Sequence, residues 1–503
     1  MTVDTIKIFP SIGIARLGNS PDEFFIGAEI PGDHTTPSGG YKDSNCRIKR
    51  QASRFRVYGY EGGVLKEEIT TANAEIKWTV ELANTKADWK KFGGIKNPNL
   101  PRRNPDVSDR ASLRVTPGPR TLNGPNERSA FSTGAFLGVP VPLGEIQTDV
   151  DGRLLVLGGF GDSGSPHNTP LSGFADNDDW YDDVSDGPVT ALVRVNGSNE
   201  WTKAASAWII CGPPKFAPAI ENMITLYDTL LQVAVNKLEA VSLLPAEPLS
   251  FTKDIYPLLI RAMNLKWVSK IAAVMYDTFQ SVMPPPGQPE DRNAIFKRLR
   301  NPDTDPHKQM DKEDMPKIWS DFYPEEDPDN GLPITQALTK IQYHILQQWK
   351  DGLFNNDWNG SPVAETEITP EGLTRAALET CVGGPFYPGI ETSFMTRDIY
   401  SFIEPFRLDA TIVDASTGNR LSPGDLTKQM AVPWQADFYD CRFDAGVQWW
   451  PAQRPEQVFT TSGGRQRWTR DIINGRQGMV QNWHKLGFVV QNDEEYVETE
   501  RCE

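Results

Sequence analysis

The chain has 503 residues, and its 51 Lys and Arg residues against 67 Asp and Glu residues give a formal net charge of −16. A field of that sign repels nucleic acid and anionic membrane surfaces, and no apolar run approaches the ~20 residues needed to span a bilayer, so we expect neither kind of partner. The length suffices for two or three domains, or for one large domain with insertions.

The first part of the chain is predicted to be rich in β-strands. Residues 54–63 (RFRVYGYEGG) and 74–86 (AEIKWTVELANTK) alternate apolar and polar side chains on either side of a turn at Glu61–Gly63, which is a hairpin-like pattern. Further apolar runs closed by glycine favour buried strands. Residues 1–210 are therefore predicted to form a β-rich, sandwich-like domain of an α+β protein.

The middle of the chain is predicted to be helical. Residues 217–241, 254–279 and 334–353 carry apolar side chains at three- and four-residue spacing, which is typical of amphipathic helices. Between the last two of these stretches, residues 284–332 hold many Pro and Asp residues and predict an irregular connection. Residues 211–360 are therefore predicted to be a helical region.

From about residue 360 onward the pattern is irregular, and glycine, proline and aromatic residues dominate. Long aromatic-rich loops are often the places where binding and catalysis occur. Within this part, Thr369 and Pro370 predict the start of a short helix that ends near Cys381. Residues 361–503 are therefore predicted to be a loop-rich region that carries the active site.

The segment GGFGDSG contains a formal GxGxxG pattern at Gly159, Gly161 and Gly164. It follows directly after a strand-like apolar run, RLLVL. A dinucleotide-binding fingerprint needs a helix that begins at the third glycine, so that the helix N-terminus can hold the pyrophosphate. Here SPHNTPLSGF follows, with two prolines and no helical period. A nucleotide-dependent oxidoreductase is therefore disfavoured, and retention of a dinucleotide on purification would be needed to support it.

A strongly acidic segment, DNDDWYDDVSDGP, covers Asp176–Pro188. Hard cations bind clusters of carboxylates, but the spacing is not that of an EF-hand loop. We favour a solvated turn, or a loop held by its Asp side chains. Tyr181 lies in the middle of the segment and remains a candidate for lining a substrate site.

Cysteine usage predicts a reducing or neutral setting, and the N-terminal residues show no secretory signal. The cysteines stand at positions 46, 211, 381, 441 and 502, an odd number without any CxxC, so we expect mostly free thiols and no disulfide framework. The five histidines are far apart, which predicts no metal site. MTVDTIKIFPSIG has neither a charged n-region nor a long apolar stretch, which predicts synthesis in the cytoplasm. Export without a signal stays open.

Cys441 is unusual among these cysteines because Asp437 precedes it by four residues in WQADFYDCRFDAGVQWWPAQRP. If ADFYDC forms one helical turn, the two side chains share a face. A neighbouring carboxylate raises the pKa of a thiol, so this pair makes a poor thiolate nucleophile. Asp437 is more useful as a proton acceptor for another group, such as a tryptophan bonded to the sulfur. Cys381, taken alone, is more in keeping with a packing thiol.

The chain resembles the L-lysine ε-oxidase and glycine oxidase family of quinoproteins, whose cofactor is cysteine tryptophylquinone (CTQ). The resemblance covers nearly the whole length. It is carried by motifs in the same order: FPSIGIARLGNSPDEFFIGAEIPG, RIKRQASRFRVYGY, WYDDVSDGPVTA, PPKFAP, CVGGPFYPGIE, GDLTKQMAVPWQADFYDC, WWPAQRP and MVQNWHKLGFV. Several such motifs in sequence are specific, although any one alone is weak. The resemblance implies a quinone made from a cysteine and a tryptophan of the chain itself.

The resemblance also implies roles for individual residues. Cys441, four residues after Asp437, matches the cofactor cysteine of the family. Asp437 is implied as the base for proton abstraction and for making the quinone. A second active-site position, Cys or His in different members, falls at Cys381. Residues 361–503 thereby become the quinone-bearing catalytic region.

The tryptophan partner is expected downstream of the cysteine, where the candidates are Trp449, Trp450, Trp468 and Trp483. We favour Trp483, because it lies in the terminal NWHKLGF motif and because the spacing in the family is long. Trp449 and Trp450 look like packing anchors beside a Pro-rich turn. His484 is a candidate for orienting water or a substrate group, and a structural role is nearly as well supported.

The function implied by the resemblance is that of a quinoprotein amino-acid oxidase. A primary amine forms a Schiff base with the quinone, a base removes the α-proton, and ammonia and hydrogen peroxide are released after reoxidation by oxygen. A separate flavin-dependent maturation protein and a homodimer or homotetramer are implied as well. The alternative is a family member that never forms the quinone and acts in binding or in another amine reaction. The substrate amine is not indicated.

Overall fold

The protein is described by a computed structural model that covers residues 3–91, 99–270, 272–273, 279–282, 286–303, 319–320, 334–335, 338–383, 402–413, 420–441 and 450–502. Trp449 and most of the CVGGPFYPGIE motif lie outside these residues. Within them the chain is a mixed α and β structure, and its long strands are concentrated before residue 213.

The strands up to residue 212 contribute mainly to one large sheet. They are β1 (Thr5–Phe9), β2 (Ile12–Arg16), β3 (Phe24–Ile26), β4 (Arg50–Glu61), β5 (Val64–Ile69), β6 (Ala74–Val80), β7 (Arg120–Leu122), β8 (Arg128–Ala130), β9 (Ala135–Phe136), β10 (Val139–Pro140), β11 (Glu145–Thr148), β12 (Leu154–Leu157), β13 (Ser163–Gly164), β14 (Tyr181–Asp182), β15 (Ser185–Val195), β16 (Thr202–Lys203) and β17 (Ala207–Gly212). The strands that follow are short and pair in twos: β18 (Leu249–Ser250), β19 (Trp319–Ser320), β20 (Ile334–Thr335), β21 (Phe354–Asn355), β22 (Phe402–Glu404), β23 (Arg407–Leu408), β24 (Gln457–Phe459), β25 (Arg465–Arg467), β26 (Phe488–Asn492) and β27 (Glu495–Thr499).

The large sheet follows the order β7-β6-β15-β17-β2-β4-β12-β11-β8, with β1, β3 and β5 paired to β4 and β16 paired to β15. Its end strands, β7 and β8, lie next to each other, so the sheet is nearly closed. The β-rich character predicted for this part is confirmed. Where a sandwich of separate sheets was expected, one continuous sheet curls round. A register shift at Gly59–Tyr60 lets the long strand β4 bend within it.

The predicted turn at Glu61–Gly63 is present, but its partner strand differs from the expected one. β4 turns at Gly62 and Gly63 and pairs with β5, whereas β6 pairs with β15 and β7. β5 was missed because its sequence, VLKEEI, is exposed over most of its length and lacks a buried apolar face.

The helices are shorter than predicted: α1 (Leu226–Lys237), α2 (Tyr256–Asn264), α3 (Pro289–Phe296), α4 (Lys340–Asp351), α5 (Pro370–Glu379), α6 (Trp434–Asp440) and α7 (Gly475–Asn482). α1, α2 and α4 fall within the three stretches predicted as helical. α3 lies in the segment predicted to be irregular, where a proline at its first position and two acids in its first turn favour a helix start. Thr369 caps α5 as predicted, because its hydroxyl accepts a hydrogen bond from the Gly372 N–H (3.0 Å).

None of the described helices combines the length and the apolar character needed to cross a membrane.

Two buried apolar clusters organise the molecule. One gathers side chains from β1, β4, β6, β11, β12 and β15 of the large sheet. The other joins side chains of α2 and α4 to aromatic residues of the C-terminal part, among them Trp434, Phe438, Trp468 and Trp483. Trp483, one of the residues expected at the active site, therefore belongs to the second cluster, together with Trp434 and Phe438 of α6. The predicted domain boundaries stay predictions.

Candidate active site

Helix α6 presents Asp437 and Cys441 on one face, as the four-residue spacing predicted. Cys441 caps the C-terminal end of the helix, where its backbone N–H donates to the Asp437 carbonyl oxygen (2.8 Å). The thiol of Cys441 donates to Oδ1 of Asp437 across 3.3 Å. The sequence prediction of one helical turn that joins these two side chains is confirmed.

Burial sets the proton affinities of this pair. Both side chains are buried. Burial raises the pKa of Asp437 to about 7, and the charge of Asp440 adds to the rise, whereas the thiol hydrogen bond, Lys86 and Arg454 oppose it. Burial, followed by the charge of Asp437, raises the pKa of the Cys441 thiol well above its usual range. Asp437 is therefore suited to exchange a proton near neutral pH, and Cys441 is not a thiolate.

The start of α6 is held by a buried ion pair. Oδ2 of Asp182 accepts hydrogen bonds from the backbone N–H of Trp434 (2.9 Å) and from Nζ of Lys86 (2.5 Å). Nζ of Lys86 also donates to the carbonyl oxygen of Ala431 (2.7 Å). Both charged side chains are fully buried. Asp182 thus serves as a cap for a helix whose preceding residue is proline.

The acidic segment is not a solvated turn, so that expectation is wrong for its second half. Asp182, Asp183 and Asp186 are fully buried, because each carboxyl group has donors from distant segments. Asp186, for example, accepts hydrogen bonds from Trp208 Nε1 (2.9 Å) and from the Thr427 hydroxyl (2.7 Å). The parallel expectation of a loop held by Asp side chains is closer to what is found. Among the described residues, no group of three or more His, Cys, Asp or Glu side chains is arranged to hold a metal ion.

The glycine-rich segment packs against Trp483. No helix begins at Gly164, which instead lies in β13, and this agrees with the rejection of a dinucleotide fingerprint. The backbone N–H of Gly161 donates to Asp183 (2.8 Å), and the carbonyl oxygen of Gly161 accepts from Gln435 of α6 (3.1 Å). A Cβ atom added at Gly161 would lie 2.2 Å from Cζ2 of Trp483. Sequence analysis missed this contact, because nothing local to the glycines indicates it.

Trp483, the favoured tryptophan candidate, contacts the helix that bears Cys441. It lies at the C-terminal end of α7, is buried, and meets Trp434 edge to face with ring centroids 5.4 Å apart and an interplanar angle of 71°. α7 packs against α6 along its length, and Arg476 of α7 is paired with Asp440 of α6. The preference for Trp483 stays a prediction, but this packing favours it.

The other candidates have different surroundings. Trp468 is buried, donates from Nε1 to the carbonyl oxygen of Gly487 (2.9 Å) and packs on Phe216. Trp450 is buried with φ +38°, and Trp449 lies outside the described residues. The hydrogen bond to Gly487 gives Trp468 a structural role that does not depend on any cross-link.

His484 and Tyr181 lie at the edges of this region. The half-buried ring of His484 meets the Trp483 ring at 84° with centroids 5.9 Å apart, and burial, together with Lys42, lowers the pKa of His484. Tyr181, in β14, is half-buried and lies beside Gly164 of the glycine-rich segment. Burial raises the pKa of the Tyr181 phenol.

Cys381 lies in a separate buried apolar cluster, apart from the cluster of Trp434 and Trp483. It is buried among side chains of β2 and β17, and Nη2 of Arg16 lies 3.4 Å from its Sγ atom. Arg16 and Thr380 also line a cavity of about 540 Å³, whose other walls include Tyr41 and Lys215. The described surroundings of Cys381 agree with a packing thiol. A role of Cys381 in the active site stays a prediction.

The structure contains a disulfide between Cys46 and Cys502, with Cα atoms 6.4 Å apart. The expectation of no disulfide is wrong for this pair, because a link across 456 positions leaves no local spacing signal. Cys211, Cys381 and Cys441 are buried and take part in no disulfide among the described residues.

Comparison with known proteins identifies the family. A family model described as L-lysine epsilon oxidase N-terminal matches residues 9–211, and one described as L-lysine epsilon oxidase C-terminal domain matches residues 324–468. The L-lysine 6-oxidase of Marinomonas mediterranea is 30% identical over 87% of this chain and 71% of its own.

Solved structures of the L-Lys epsilon-oxidase from the same organism agree. One superposes with a TM-score of 0.81 at 27% identity, and one described as its Schiff base intermediate with L-Lys superposes with a TM-score of 0.78 at 26% identity. Each match covers 99% of this chain and 95% of the other. With matches of sequence and of fold along nearly its whole length, the chain belongs to the L-lysine epsilon-oxidase family.

Proposed function

We propose that the protein is an amino-acid oxidase that acts on a CH–NH2 group with oxygen as acceptor, through a cysteine tryptophylquinone made from Cys441 and Trp483. The observation that carries the proposal is the buried Asp437–Cys441 pair on a helix that packs against Trp483. Family membership supports the oxidase class, since a relative acts, by its name, on L-lysine.

The unsatisfied polar atoms of the site fit such a group. Oδ2 of Asp437 and Nε1 of Trp434 are buried and have no hydrogen-bond partner among the described residues. Buried polar atoms in folded proteins are nearly always paired, so each exception calls for an explanation. A quinone on the neighbouring ring would bring carbonyl oxygens, which could accept from Nε1 of Trp434, and from Oδ2 of Asp437 when that carboxyl group carries its proton.

The quinone would supply an electrophilic carbonyl and an acceptor for two electrons, while the chain supplies orientation, burial and a base. Asp437, with its pKa of about 7, is poised to take the α-proton of the substrate at a carboxylate oxygen and to return it to water. Phe438 and Trp434 of the same helix pack edge to face with ring centroids 5.0 Å apart, and both are fully buried. His484, beside Trp483, is proposed to orient a substrate group or a water molecule, and Tyr181 to line the site.

Asp437 is also proposed to serve in making the cofactor. Oxygenation of an indole ring requires removal of a proton, and a carboxylate that titrates near neutrality can accept it. A separate flavin-dependent protein is proposed as the maturation partner, and a homo-oligomer as the assembled form. Expression with and without a flavoprotein partner of this kind, followed by quinone staining, tests the first of these proposals.

The decisive measurement is the mass of the intact, reduced chain and of its peptides. Two oxygens gained and four hydrogens lost make the mature chain about 28 Da heavier than its sequence. A digest should contain one Cys441 peptide joined to a Trp483 peptide by a bond that survives thiol reductants, because a thioether does not undergo thiol–disulfide exchange. Oxygen uptake with L-lysine and with other amino acids then reports activity.

Two other results of the mass measurement would change the proposal. A joined partner at Trp449, Trp450 or Trp468 keeps the oxidase and corrects the tryptophan. An unmodified mass, with a Cys441 thiol that alkylates on unfolding, favours a family member that acts without the quinone.

A further inference from the structure

The backbone of residues Gly159–Ser163, here called the glycine loop, forms a wall against the ring of Trp483. A Cβ atom at Gly161 would lie 2.2 Å from Cζ2, 2.7 Å from Cη2 and 3.0 Å from Cε2 of Trp483, all of them atoms of the six-membered ring. Gly161 also has φ +76°, a conformation that favours glycine. Only glycine therefore lets the loop approach the ring this closely.

A single buried carboxyl group holds the glycine loop from behind. Oδ2 of Asp183 accepts hydrogen bonds from the backbone N–H groups of Gly161 (2.8 Å) and Asp162 (3.1 Å). A Cβ atom at Gly159 would lie 2.2 Å from the same oxygen, so the chain passes directly over the carboxyl group. Asp183 is fully buried, and its Oδ1 atom has no hydrogen-bond partner among the described residues.

From the other side, the loop is tied to the helix that carries the Asp437–Cys441 pair. Nε2 of Gln435 donates to the carbonyl oxygen of Gly161 (3.1 Å), and the hydroxyl of Ser163 donates to Oε1 of Gln435 (2.7 Å). Gln435 is fully buried. The glycine loop is thus fixed between Asp183 and α6, with the Trp483 ring against it.

We infer that Asp183 is a positioning residue for Trp483: its carboxyl group fixes the glycine loop, and Gly161 of that loop sets where the six-membered ring stands relative to α6. This inference rests on the proposed role of Trp483 in the cofactor. Asp183 acts on the ring through Gly161. Placement matters because reacting atoms must approach to about 3–3.5 Å before a bond forms, and a misplacement of about 1 Å can lower a rate about a hundredfold.

The expected substitution pattern follows from the burial of Asp183. Burial raises the pKa of its carboxyl group well above the usual range, and the charges of Asp162 and Asp182 add to the rise. This shift favours the uncharged carboxyl group, which holds the loop through its shape and its acceptor oxygen Oδ2. Asparagine preserves both, whereas alanine removes the acceptor for two backbone N–H groups.

The experiment compares Asp183→Asn and Asp183→Ala in the full chain. Amide hydrogen exchange at Gly161 and Asp162, and the cross-linked fraction by peptide mass, are measured for each. In Asp183→Ala, exchange at these amides should rise roughly tenfold or more, since a lost hydrogen bond of ordinary strength changes an equilibrium by about that factor. The cross-linked fraction should fall with it. Asp183→Asn should resemble the wild type in both respects.

A control separates positioning from general loss of stability. Asp186→Ala removes another buried carboxyl group from the same region, one that holds Thr427 and Trp208 instead of the glycine loop. The Asp186→Ala change should lower the melting temperature. Below that temperature, the Gly161 and Asp162 amides should remain protected from hydrogen exchange. Unchanged protection in Asp183→Ala would overturn the inference. So would an Asp183→Asn protein as impaired as Asp183→Ala, since an acceptor oxygen at this position would then not be enough to hold the loop.

Should Asp183→Ala fail to fold, a matched glycine pair tests the same contact. Gly161 and Gly118 have φ of +76° and +77°, but nothing lies within 4 Å of a Cβ atom at Gly118. Both Gly→Ala changes carry the same backbone strain, and only Gly161→Ala meets the ring. Gly161→Ala alone should change the tryptophan emission of the chain and lower the cross-linked fraction. Equal effects of the two changes would contradict the inference. A wild-type chain without any cross-link refutes the proposed function, while the exchange comparison still decides the role of Asp183.

Discussion

Trp434 and Trp483 meet edge to face, with ring centroids 5.4 Å apart, so that the first residue of α6 touches the residue that follows α7. The contact links the helix of the Asp437–Cys441 pair to the favoured tryptophan. Because Trp483 also lies against Gly161, the ring is held between an aromatic edge and a glycine.

Cys441→Ala should abolish quinone formation, whereas Cys211→Ala should leave it intact. Both thiols are buried, but only Cys441 has a carboxyl group within hydrogen-bond distance on its own helix. Quinone staining of the denatured proteins reads the outcome. Staining of the Cys441→Ala protein would remove this cysteine from the site.

Trp483→Phe should yield no cross-linked peptide, and Trp468→Phe should retain it. Trp468 uses its indole N–H in a bond to Gly487, so its replacement should lower the melting temperature without removing the cofactor. Peptide mapping after digestion distinguishes the two. A Trp468→Phe protein that folds and lacks the cross-link would indicate that Trp468, and not Trp483, is the cross-linked tryptophan.

The unmatured protein should lose stability relative to Asp437→Asn as the pH rises from about 4 to about 8. The folded pKa of Asp437 is about 7, against about 4 in an unfolded chain, so in this range only the folded state keeps the proton. The stability that this proton contributes is complete below about pH 4 and is lost as the pH rises through 7. Asparagine cannot titrate, so the difference in melting temperature, variant minus wild type, should increase with pH. A difference that is constant with pH would contradict the raised pKa.

Lys86→Ala should destabilise the protein by about 3–5 kcal/mol, because it leaves the buried carboxylate of Asp182 without its partner. Lys340→Ala is the matched control, since the ion pair of Lys340 with Asp303 is exposed and should be worth about 0–1 kcal/mol. Denaturant unfolding measures both. Equal losses would show that the buried pair contributes no more than a surface pair.

Reduction of the Cys46–Cys502 disulfide should lower the melting temperature by several degrees, as expected from a contribution of about 2–4 kcal/mol. The Cys502→Ser protein should already melt at the lower temperature and should not respond to reductant. If reductant shifts the wild type and the variant alike, another bond is responsible.

What the sequence predicted was local. The Asp437–Cys441 relation depends on one helical turn, and the α5 cap depends on Thr369 and its neighbours, so both could be inferred from spacing. The burial of Asp182 and Asp183 could not, because their partners are far away in sequence and an acidic run ordinarily faces water.

The same reason explains the remaining errors. The strand β5 carries no apolar alternation, and its place is fixed by β4. In the sequence, Gly161 was only part of a weak nucleotide-binding motif. Its contact with Trp483 forms only when segments more than 300 positions apart come together.

Helix α6 has seven residues, too few to persist by itself in water. Its first N–H is held by a side chain 252 positions earlier, and its second residue by a backbone oxygen 274 positions earlier. Such distant contacts form late, since long loops must close first. We therefore expect any covalent step at Cys441 to follow completion of the fold. The proposed modification would then mark permanently, by a change of mass, which copies of the chain have folded.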